Sequence, residues 1–202
     1  MAYQWLDGEH CDSHHYLLPA LFEEVDLLGG SGRAFDLGCG NGSIARAMKA
    51  RGWEVSGVDP SADGVKFARQ KDPEIDLHVG SAYDDLQAKF GRFPLVYSLE
   101  VVEHVYAPRD YAKTLVNLMQ DDGVAIVSTP YHGYWKNLVM SLTGKMDAHF
   151  TALWDHGHIK FWSVKTLTQL FEEVGLEVTR VHRVGRIPVL AKSMILVLRR
   201  KG

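Results

Sequence analysis

The sequence predicts an α/β protein in which a mostly parallel sheet is covered by helices on both faces. Strand and helix patterns alternate from residue 33 to residue 130, and such alternation is typical of parallel strands joined by crossover helices. The last two strand-like runs are separated by a short connection with Gly185 and Pro188, too short for a helix, so we expect them to pair antiparallel. A chain of 202 residues is long enough for one domain and too short for two of full size.

Apolar spacing and breaking residues place the individual elements. The first helix has apolar residues at helical spacing and ends at Gly29, and the last helix is expected to begin at an N-cap, Ser163, and to stop at Gly175. The predicted helices span 16–28, 43–51, 62–71, 84–90, 109–119 and 163–174, and the predicted strands span 33–37, 53–58, 75–79, 95–98, 123–128, 176–184 and 189–198.

Beyond Pro130 the alternation stops, and residues 131–160 form an insertion rich in aromatic residues and histidines, with helical spacing from Lys136 to Met146. We therefore divide a single domain into four parts. These parts are an N-terminal cap and helix (1–30), a cofactor-binding core (33–130), a substrate lid (131–162) and a final helix with a C-terminal hairpin (163–202).

The composition is that of an ordinary globular protein, with 46% hydrophobic and 23% charged residues. A net charge of -3 and the lack of a broad basic segment disfavour a nucleic-acid substrate. The two cysteines, Cys11 and Cys39, suit a reducing cytoplasm, and no signal peptide is recognisable. No apolar stretch is long enough for stable membrane insertion, and no pattern indicates the oligomeric state.

A glycine loop connects the first predicted strand to the following helix. Gly38, Gly40 and Gly42 permit unusual backbone angles and let a ligand approach the main chain closely. The start of the helix offers free N–H groups to an anionic group. A strand, a glycine turn and a helix in this order predict a nucleotide-type site.

Asp59 ends the second predicted strand, where a carboxylate can accept both hydroxyls of a ribose. A nicotinamide fingerprint would need a third glycine where Ser43 stands, and Asp36 would place a negative charge beside a pyrophosphate. These residues favour an adenosine-containing cofactor other than NAD.

Two segments carry a resemblance to a known superfamily. The segment Phe35–Gly42 resembles the first motif of the class I S-adenosylmethionine-dependent methyltransferases, and Gly57–Ser61 resembles the second. Within that superfamily, Leu99–Val105 and His158–Ser163 look like the small-molecule branch that includes ubiquinone-biosynthesis O-methyltransferases. The resemblance implies a Rossmann-like, doubly wound sheet of seven strands with an antiparallel last strand, S-adenosyl-L-methionine as cofactor and S-adenosyl-L-homocysteine as product.

The resemblance also implies roles for residues at matching positions. The three glycines would pass under the methionine part, Asp36 would order the loop or meet the ammonium, and Asp59 would bind the ribose. Pro60 would touch adenine; Ser81 and Ala82 replace an acidic residue of many relatives, which leaves adenine to backbone groups or to Asp84. The expected cofactor-binding residues are Asp36, Gly38, Cys39, Gly40, Asn41, Gly42, Asp59, Pro60, Ser81, Ala82, Leu99 and Glu100.

Methyl transfer from a sulfonium mainly requires alignment, but a hydroxyl or amine acceptor must also lose a proton to a base. Histidine has the appropriate pKa. His104 follows the fourth predicted strand at the ligand edge of the sheet, whereas His132 and His156 lie in the lid. These three are the candidate catalytic residues.

The segment around His104 could instead bind a divalent metal ion. Glu100, Glu103 and His104 have the i, i+3, i+4 spacing of one helical face, and the similar segment of ubiquinone O-methyltransferases is associated with a metal. Because protein side chains alone rarely enclose Mg²⁺, we expect no metal and interpret Glu100 and Glu103 as carboxylates at a helix start.

The sequence therefore predicts a methyltransferase that transfers a methyl group from S-adenosylmethionine to a small molecule, at oxygen. The alternatives are an N- or C-methyltransferase of another metabolite, a non-catalytic S-adenosylmethionine-binding module, and a nicotinamide oxidoreductase on a related fold.

Overall fold

The computed structural model describes residues 13–202, so the expected N-terminal cap over residues 1–12 lies outside the described residues. The helices are α1 (His14–Leu27), α2 (Ser43–Lys49), α3 (Ala62–Lys71), α4 (Leu86–Phe90), α5 (Pro108–Leu118), α6 (Tyr134–Leu142), α7 (Met146–Phe150) and α8 (Val164–Glu172). The strands are β1 (Gly32–Leu37), β2 (Trp53–Asp59), β3 (Asp76–Val79), β4 (Phe93–Leu99), β5 (Met119–Pro130), β6 (Leu176–Val184) and β7 (Ser193–Arg200).

The seven strands form one sheet in the order β3-β2-β1-β4-β5-β7-β6. The first five strands pair in parallel, and β7 lies antiparallel between β5 and β6. This arrangement confirms the predicted mostly parallel sheet and its antiparallel last strand. The strand order reverses between β1 and β4, and such a switch point leaves a crevice at the carboxyl ends of the two strands.

Helices cover both faces of the sheet, as the sequence predicts. On one face, apolar residues of α1, α2 and α3 such as Leu21, Met48 and Ala68 pack on the strands. On the other face, α5 and α8 contribute Leu115 and Phe171. Consecutive strand residues alternate between these two cores, because successive side chains of a strand point to opposite faces.

Several boundaries differ from the sequence prediction for local reasons. Residues 100–107 are not helical: Glu100 has a left-handed φ of 56°, and α5 begins only at Pro108, whose preceding residue is disfavoured in a helix. The single helical stretch predicted from Lys136 to Met146 is split into α6 and α7, and Gly144 between them has a φ of 65°. Ser163 caps α8 with a capping box, as expected.

The two ends of the lid insertion meet on the sheet. Tyr131 and Trp162 form an isolated parallel bridge, and the His132 N–H donates to the Trp162 carbonyl at 2.9 Å. The Trp162 indole Nε1–H donates to the carbonyl of Val102 at 3.2 Å. The insertion is therefore closed at its base. In residues 13–202, no helix has both the length and the apolar character required to cross a membrane.

Candidate active site

A cavity of about 1240 Å³ opens at the carboxyl ends of β1, β2 and β4, at the switch point of the sheet. Two groups of segments line it: the glycine loop with α1, which we call the first wall, and the lid with the β6–β7 connection, which we call the second wall. The two walls meet where the Lys192 ammonium lies over the Tyr16 ring. Eleven of the twelve predicted cofactor-binding residues line the cavity, and Gly42 does not. Ten of the eleven belong to the first wall or its floor, together with Val58 and Tyr83, whereas Glu100 faces the second wall.

The glycine loop follows β1 in a conformation that requires glycine. Gly38, Gly40 and Gly42 have φ angles of 96°, 51° and 71°. A Cβ on Gly38 would lie 2.4 Å from Cγ2 of Val101, and a Cβ on Gly42 would lie 2.6 Å from that of Ala68. Gly42 therefore serves the packing of α2 against α3, which explains why it does not line the cavity. Cys39 and Asn41 do line it.

Asp59 connects the two loops at the ends of β1 and β2. Its Oδ2 accepts a hydrogen bond from the Gly40 N–H at 2.9 Å, and its Oδ1 accepts one from the Ser61 N–H at 2.8 Å. Burial raises its pKa, although these two hydrogen bonds oppose the shift. A carboxylate offers about four acceptor positions, so each oxygen keeps one for a ligand.

Asp36 lies in β1 between Gly57 of β2 and Tyr97 of β4, and its side chain is almost completely buried. Burial raises its pKa to about 8; the neighbouring Tyr97 hydroxyl opposes this shift, and the negative charge of Asp59 adds to it. Its Oδ2 has no hydrogen-bond partner among residues 13–202, and the residue lines the cavity. A buried oxygen of this kind indicates a missing donor.

The segment after β3 closes another side of the cavity with Ser81, Ala82 and Tyr83. Asp84 turns away, because its Oδ2 accepts the Ser81 backbone N–H at 2.7 Å and the exposed residue does not line the cavity. Of the two options left open for adenine recognition, this geometry favours backbone groups over Asp84.

Leu99 and Glu100 line the cavity where β4 ends. The strained backbone of Glu100 directs its carboxylate toward the strands on the other side: Oε1 accepts the Ser128 hydroxyl at 2.8 Å and Oε2 accepts the Ser193 hydroxyl at 3.2 Å. Burial raises the pKa of Glu100, and the two hydroxyl hydrogen bonds oppose the shift. Glu100 therefore lies at the boundary between the cofactor side and the lid side.

His104 lines the cavity with a defined tautomer. Its Nδ1–H donates to the carbonyls of His156 at 3.0 Å and Gly157 at 3.2 Å, which leaves Nε2 without a proton in the neutral ring. Burial lowers its pKa, although the two carbonyls oppose the shift. The ring also contacts those of Trp154 and His158, with centroids 5.9 and 4.8 Å away. His104 thus has the properties of a base at neutral pH.

The other two candidate histidines occupy different places. His156 lines the cavity with an exposed side chain, and it supports His104 through its carbonyl. His132 does not line the cavity; it is buried within the lid, with its ring against Phe150 and Phe161, and burial lowers its pKa to about 4. The position of His132 thus gives no support to its predicted role as a base.

Glu103 lies behind His104 and is 1% exposed, with neither carboxylate oxygen hydrogen bonded among the described residues. Burial, and secondly the charge of Glu100, raise its pKa well above the usual range. Ligand atoms of Glu103, His104 and His158 lie within 4.8 Å of one another and could hold a divalent ion. The expected helical face of Glu100, Glu103 and His104 is not formed, because the segment is not helical and Glu100 turns to Ser128.

The sequence interpretation missed four cationic side chains that line the lid side of the cavity: Lys136, Lys145, Arg186 and Lys192. Lys136 had a recognisable signal. It shares one face of α6 with Val139, Met140 and Thr143, at i, i+3, i+4 and i+7, and all four residues line the cavity. A lysine in an otherwise mainly apolar helical face indicates a special environment. The other three lie in connections without a periodic pattern.

A doubly wound sheet with a glycine loop and an acidic residue after the second strand forms a nucleotide-type cofactor site, the kind that S-adenosylmethionine-dependent methyltransferases contain. A family model described as a methyltransferase domain matches residues 5–181, and the chain belongs to this family. The protein is therefore an S-adenosylmethionine-dependent methyltransferase, as the sequence motifs predict.

Two curated relatives carry the name ubiquinone biosynthesis O-methyltransferase. The protein of Aromatoleum aromaticum is 26% identical over 184 residues, which cover 88% of this chain and 79% of the relative. The protein of Dinoroseobacter shibae is 32% identical over 153 residues, which cover 72% of this chain and 60% of the relative.

Solved structures share the fold at low sequence identity. Magnesium protoporphyrin IX methyltransferase from Synechocystis, with bound S-adenosylhomocysteine, superposes with a TM-score of 0.71 at 17% identity, covering 91% of this chain and 82% of that chain. The 1,6-didemethyltoxoflavin-N1-methyltransferase of Burkholderia thailandensis gives a TM-score of 0.65 at 14% identity, covering 91% and 76%. These similarities confirm the predicted Rossmann-like methyltransferase fold.

Proposed function

We propose that the protein transfers the methyl group of S-adenosylmethionine to a hydroxyl oxygen of a small molecule bound between the glycine loop and the lid. The observation that carries the proposal is the unpaired, buried Oδ2 of Asp36 at the wall of a cavity that the glycine loop also lines. An ammonium group would satisfy this oxygen and would keep Asp36 ionised, because an opposite charge favours the charged form.

The rest of the cofactor site follows from the two loops that Asp59 connects. The free acceptor positions of Asp59 suit the two ribose hydroxyls, and Pro60, Ser81 and Ala82 suit the adenine. Gly38 and Gly40 leave the main chain uncovered below the methionine part, and Leu99 would pack beside it. Cys39 and Asn41 complete the wall, whereas Gly42 acts through packing.

In the proposed reaction, the acceptor oxygen attacks the methyl carbon, the bond between that carbon and sulfur breaks, and its electron pair remains on sulfur as S-adenosylhomocysteine forms. His104 Nε2 takes the proton of the acceptor hydroxyl. The Nδ1–H hydrogen bonds to the carbonyls of His156 and Gly157 hold the ring in the required tautomer. His156 is thus assigned a positioning role through its backbone.

Oxygen is proposed as the acceptor atom because the relatives with the name O-methyltransferase align with 72% to 88% of this chain. An N-methyltransferase remains the alternative, since a protein with the same fold carries that name. C-methylation has no specific observation in its favour.

No step is routed through a metal. Glu100 is hydrogen bonded to Ser128 and Ser193, so the cluster at Glu103 offers one carboxylate and two imidazoles. This donor set suits a transition ion rather than Mg²⁺, which prefers oxygen ligands. If an ion were bound, Glu103, His104 and His158 would hold it, and it would supply Lewis-acid activation of the acceptor hydroxyl.

The test of the proposed function is methyl transfer from labelled S-adenosylmethionine to a panel of phenols, catechols, amines and carbon acids. We expect labelled ethers from hydroxylated acceptors, together with stoichiometric S-adenosylhomocysteine. Labelled products from amines alone would assign the alternative. Failure to bind S-adenosylhomocysteine would contradict the cofactor site itself.

A further inference from the structure

The lid side of the cavity carries a concentration of positive charge. Its cations come from α6, from the connection after α6 and from the β6–β7 connection, and we call them the cationic wall: Lys136, Lys145, Arg186 and Lys192. None of them forms an ion pair with an acidic side chain within residues 13–202. The acidic groups Asp36 and Asp59 belong to the same wall of the cavity as the glycine loop.

Lys136 is the least expected member of the wall, because only 6% of it is exposed. Its Nζ donates to the carbonyl of Lys192 at 3.1 Å, whereas an ammonium has three donors. Removing an ammonium from water is costly unless an anion compensates its charge. The structure around Lys136 therefore satisfies its charge only in part.

Glu100 compensates Lys136 only in part: burial and the charge of Arg186 lower the pKa of Lys136, and the charge of Glu100 opposes this shift without cancelling it. Both of its carboxylate oxygens accept hydroxyl hydrogen bonds, from Ser128 and Ser193, and no ion pair within 4.0 Å joins Glu100 to Lys136 in the described part of the chain. Burial also raises the pKa of Glu100, so its negative charge is itself disfavoured.

Other basic groups make the environment of Lys136 more positive. Burial, and secondly the charge of Arg186, lower the pKa of Lys136 to about 8. Burial, and secondly the charges of Lys136 and Arg186, also lower the pKa of His149 on α7, which lines the cavity. Three separate elements thus bring basic side chains together in spite of their mutual repulsion.

Bound S-adenosylmethionine would add a further positive charge, the sulfonium, to the same cavity. S-adenosylmethionine also carries an ammonium and a carboxylate, so its net charge is positive. An acceptor with a negative charge would offset this charge and that of the basic groups, whereas a neutral acceptor would add no compensating charge. Opposite charges attract strongly in such a partly desolvated site.

We propose that the methyl acceptor carries an oxyanion, a carboxylate or a phosphate, that binds to Lys136 and Arg186. This inference rests on the proposed function and specifies its substrate class. The oxyanion would supply hydrogen-bond acceptors for the unused donors of Lys136, and the planar guanidinium of Arg186 suits two oxygens at once. The charged group of the acceptor is thereby anchored at Lys136 and Arg186, and its hydroxyl is left for His104, which lines the same cavity.

The test compares three probes with the same ring and hydroxyl: para-hydroxybenzoate, para-hydroxyphenyl phosphate and the neutral para-hydroxybenzamide. Their dissociation constants are measured by calorimetry on the whole protein saturated with S-adenosylhomocysteine. We expect at least one anion to bind about tenfold or more tightly than the amide, since charge-assisted hydrogen bonds are the stronger ones. The tighter anion identifies the oxyanion.

Lys136→Gln and Arg186→Gln should each reduce the preference for the anion over the amide. Arg183→Gln is the control and should retain this preference, because the Arg183 guanidinium lies over the Tyr131 ring, outside the cavity lining. The affinity for S-adenosylhomocysteine shows that each variant is folded, and Arg186→Gln keeps the test open if Lys136→Gln does not fold. Equal binding of all three probes, or no binding of either anion at millimolar concentration, would overturn the proposal. Failure of the wild-type protein to bind S-adenosylhomocysteine would instead contradict the proposed function.

Discussion

The carboxylate of Asp59 accepts the backbone N–H of Gly40 at 2.9 Å and thereby joins the loops that follow β1 and β2. Both loops line the cavity, so this contact fixes their separation before any ligand binds. The residue assigned to ribose recognition therefore also shapes the glycine loop.

Asp59→Asn should weaken S-adenosylhomocysteine binding by about tenfold or more, because an amide cannot accept through both of its polar atoms and a charge-assisted hydrogen bond is lost. Calorimetry would measure the change. Asp63→Asn, on the exposed first turn of α3, is the matched control and should bind normally. Equal affinity of both variants would refute the role of Asp59.

Gly38→Ala should destabilise the protein by about 1–3 kcal/mol through backbone strain. The clash of the new Cβ with Cγ2 of Val101, at 2.4 Å, should add to this loss. Thermal unfolding would measure the loss. Gly29→Ala has a similar φ of 98° without any atom within 4 Å, so it isolates the strain. A Gly38→Ala, Val101→Ala double variant should recover part of the difference; no recovery would argue against the clash.

His104→Asn should lower kcat by about a hundredfold or more while leaving S-adenosylhomocysteine affinity unchanged, because asparagine keeps a donor for the two carbonyls but loses the base. Burial lowers the pKa of His104, so the wild type should be fully active at neutral pH and lose activity only at pH values below about 6.5. Steady-state kinetics across pH would show this acid limb. A variant with unchanged kcat would exclude His104 as the base.

Treatment with EDTA followed by dialysis should leave kcat unchanged, because no proposed step uses a metal. Glu103→Gln should also remain active, since burial raises the pKa of Glu103 so that its neutral form, which the amide imitates, is favoured. Metal analysis of the purified protein accompanies the assay. Loss of activity with EDTA that a divalent ion restores would assign Glu103, His104 and His158 as ligands.

Glu24 on α1 should make the stability of the protein depend on pH in the acid range. Burial raises its pKa, but hydrogen bonds from Arg180 and His182 outweigh this effect and the pKa is lowered. A lowered carboxyl pKa contributes stability above the unfolded value of about 4.5, and this contribution disappears as the pH falls through the folded pKa. Glu24→Gln should thus lower Tm at neutral pH.

The Tm difference between wild type and Glu24→Gln should narrow below pH 4.5. Asp26→Asn, which removes an exposed pair with Arg51, is the control and should change Tm little. A difference that stays constant down to the lowest pH would exclude Glu24 as its source.

The sequence was informative wherever function depends on neighbours along the chain. The glycine loop, Asp36 and Asp59 belong to one βαβ unit, whose geometry follows from local spacing, and the structure brings them together as expected. The hairpin could also be predicted, because the length of its connection permits only one kind of pairing.

Residues whose environment depends on distant contacts could not be predicted. Glu100 is directed by hydroxyls of Ser128 and Ser193, and Arg186 reaches the cavity only because the β6–β7 connection folds against α6. Spacing in the sequence contains no information on either contact. His132 shows the same limit: its residue type suited catalysis, but its burial within the lid could not be inferred.

The bridge between Tyr131 and Trp162 has an evolutionary consequence. Because the insertion leaves and rejoins the sheet at adjacent positions, its interior can change in length and composition without moving the strands that carry the glycine loop. On the proposed function, the side chains that contact the acceptor could thus be replaced, in evolution or by design, without altering the loops that hold the methyl donor.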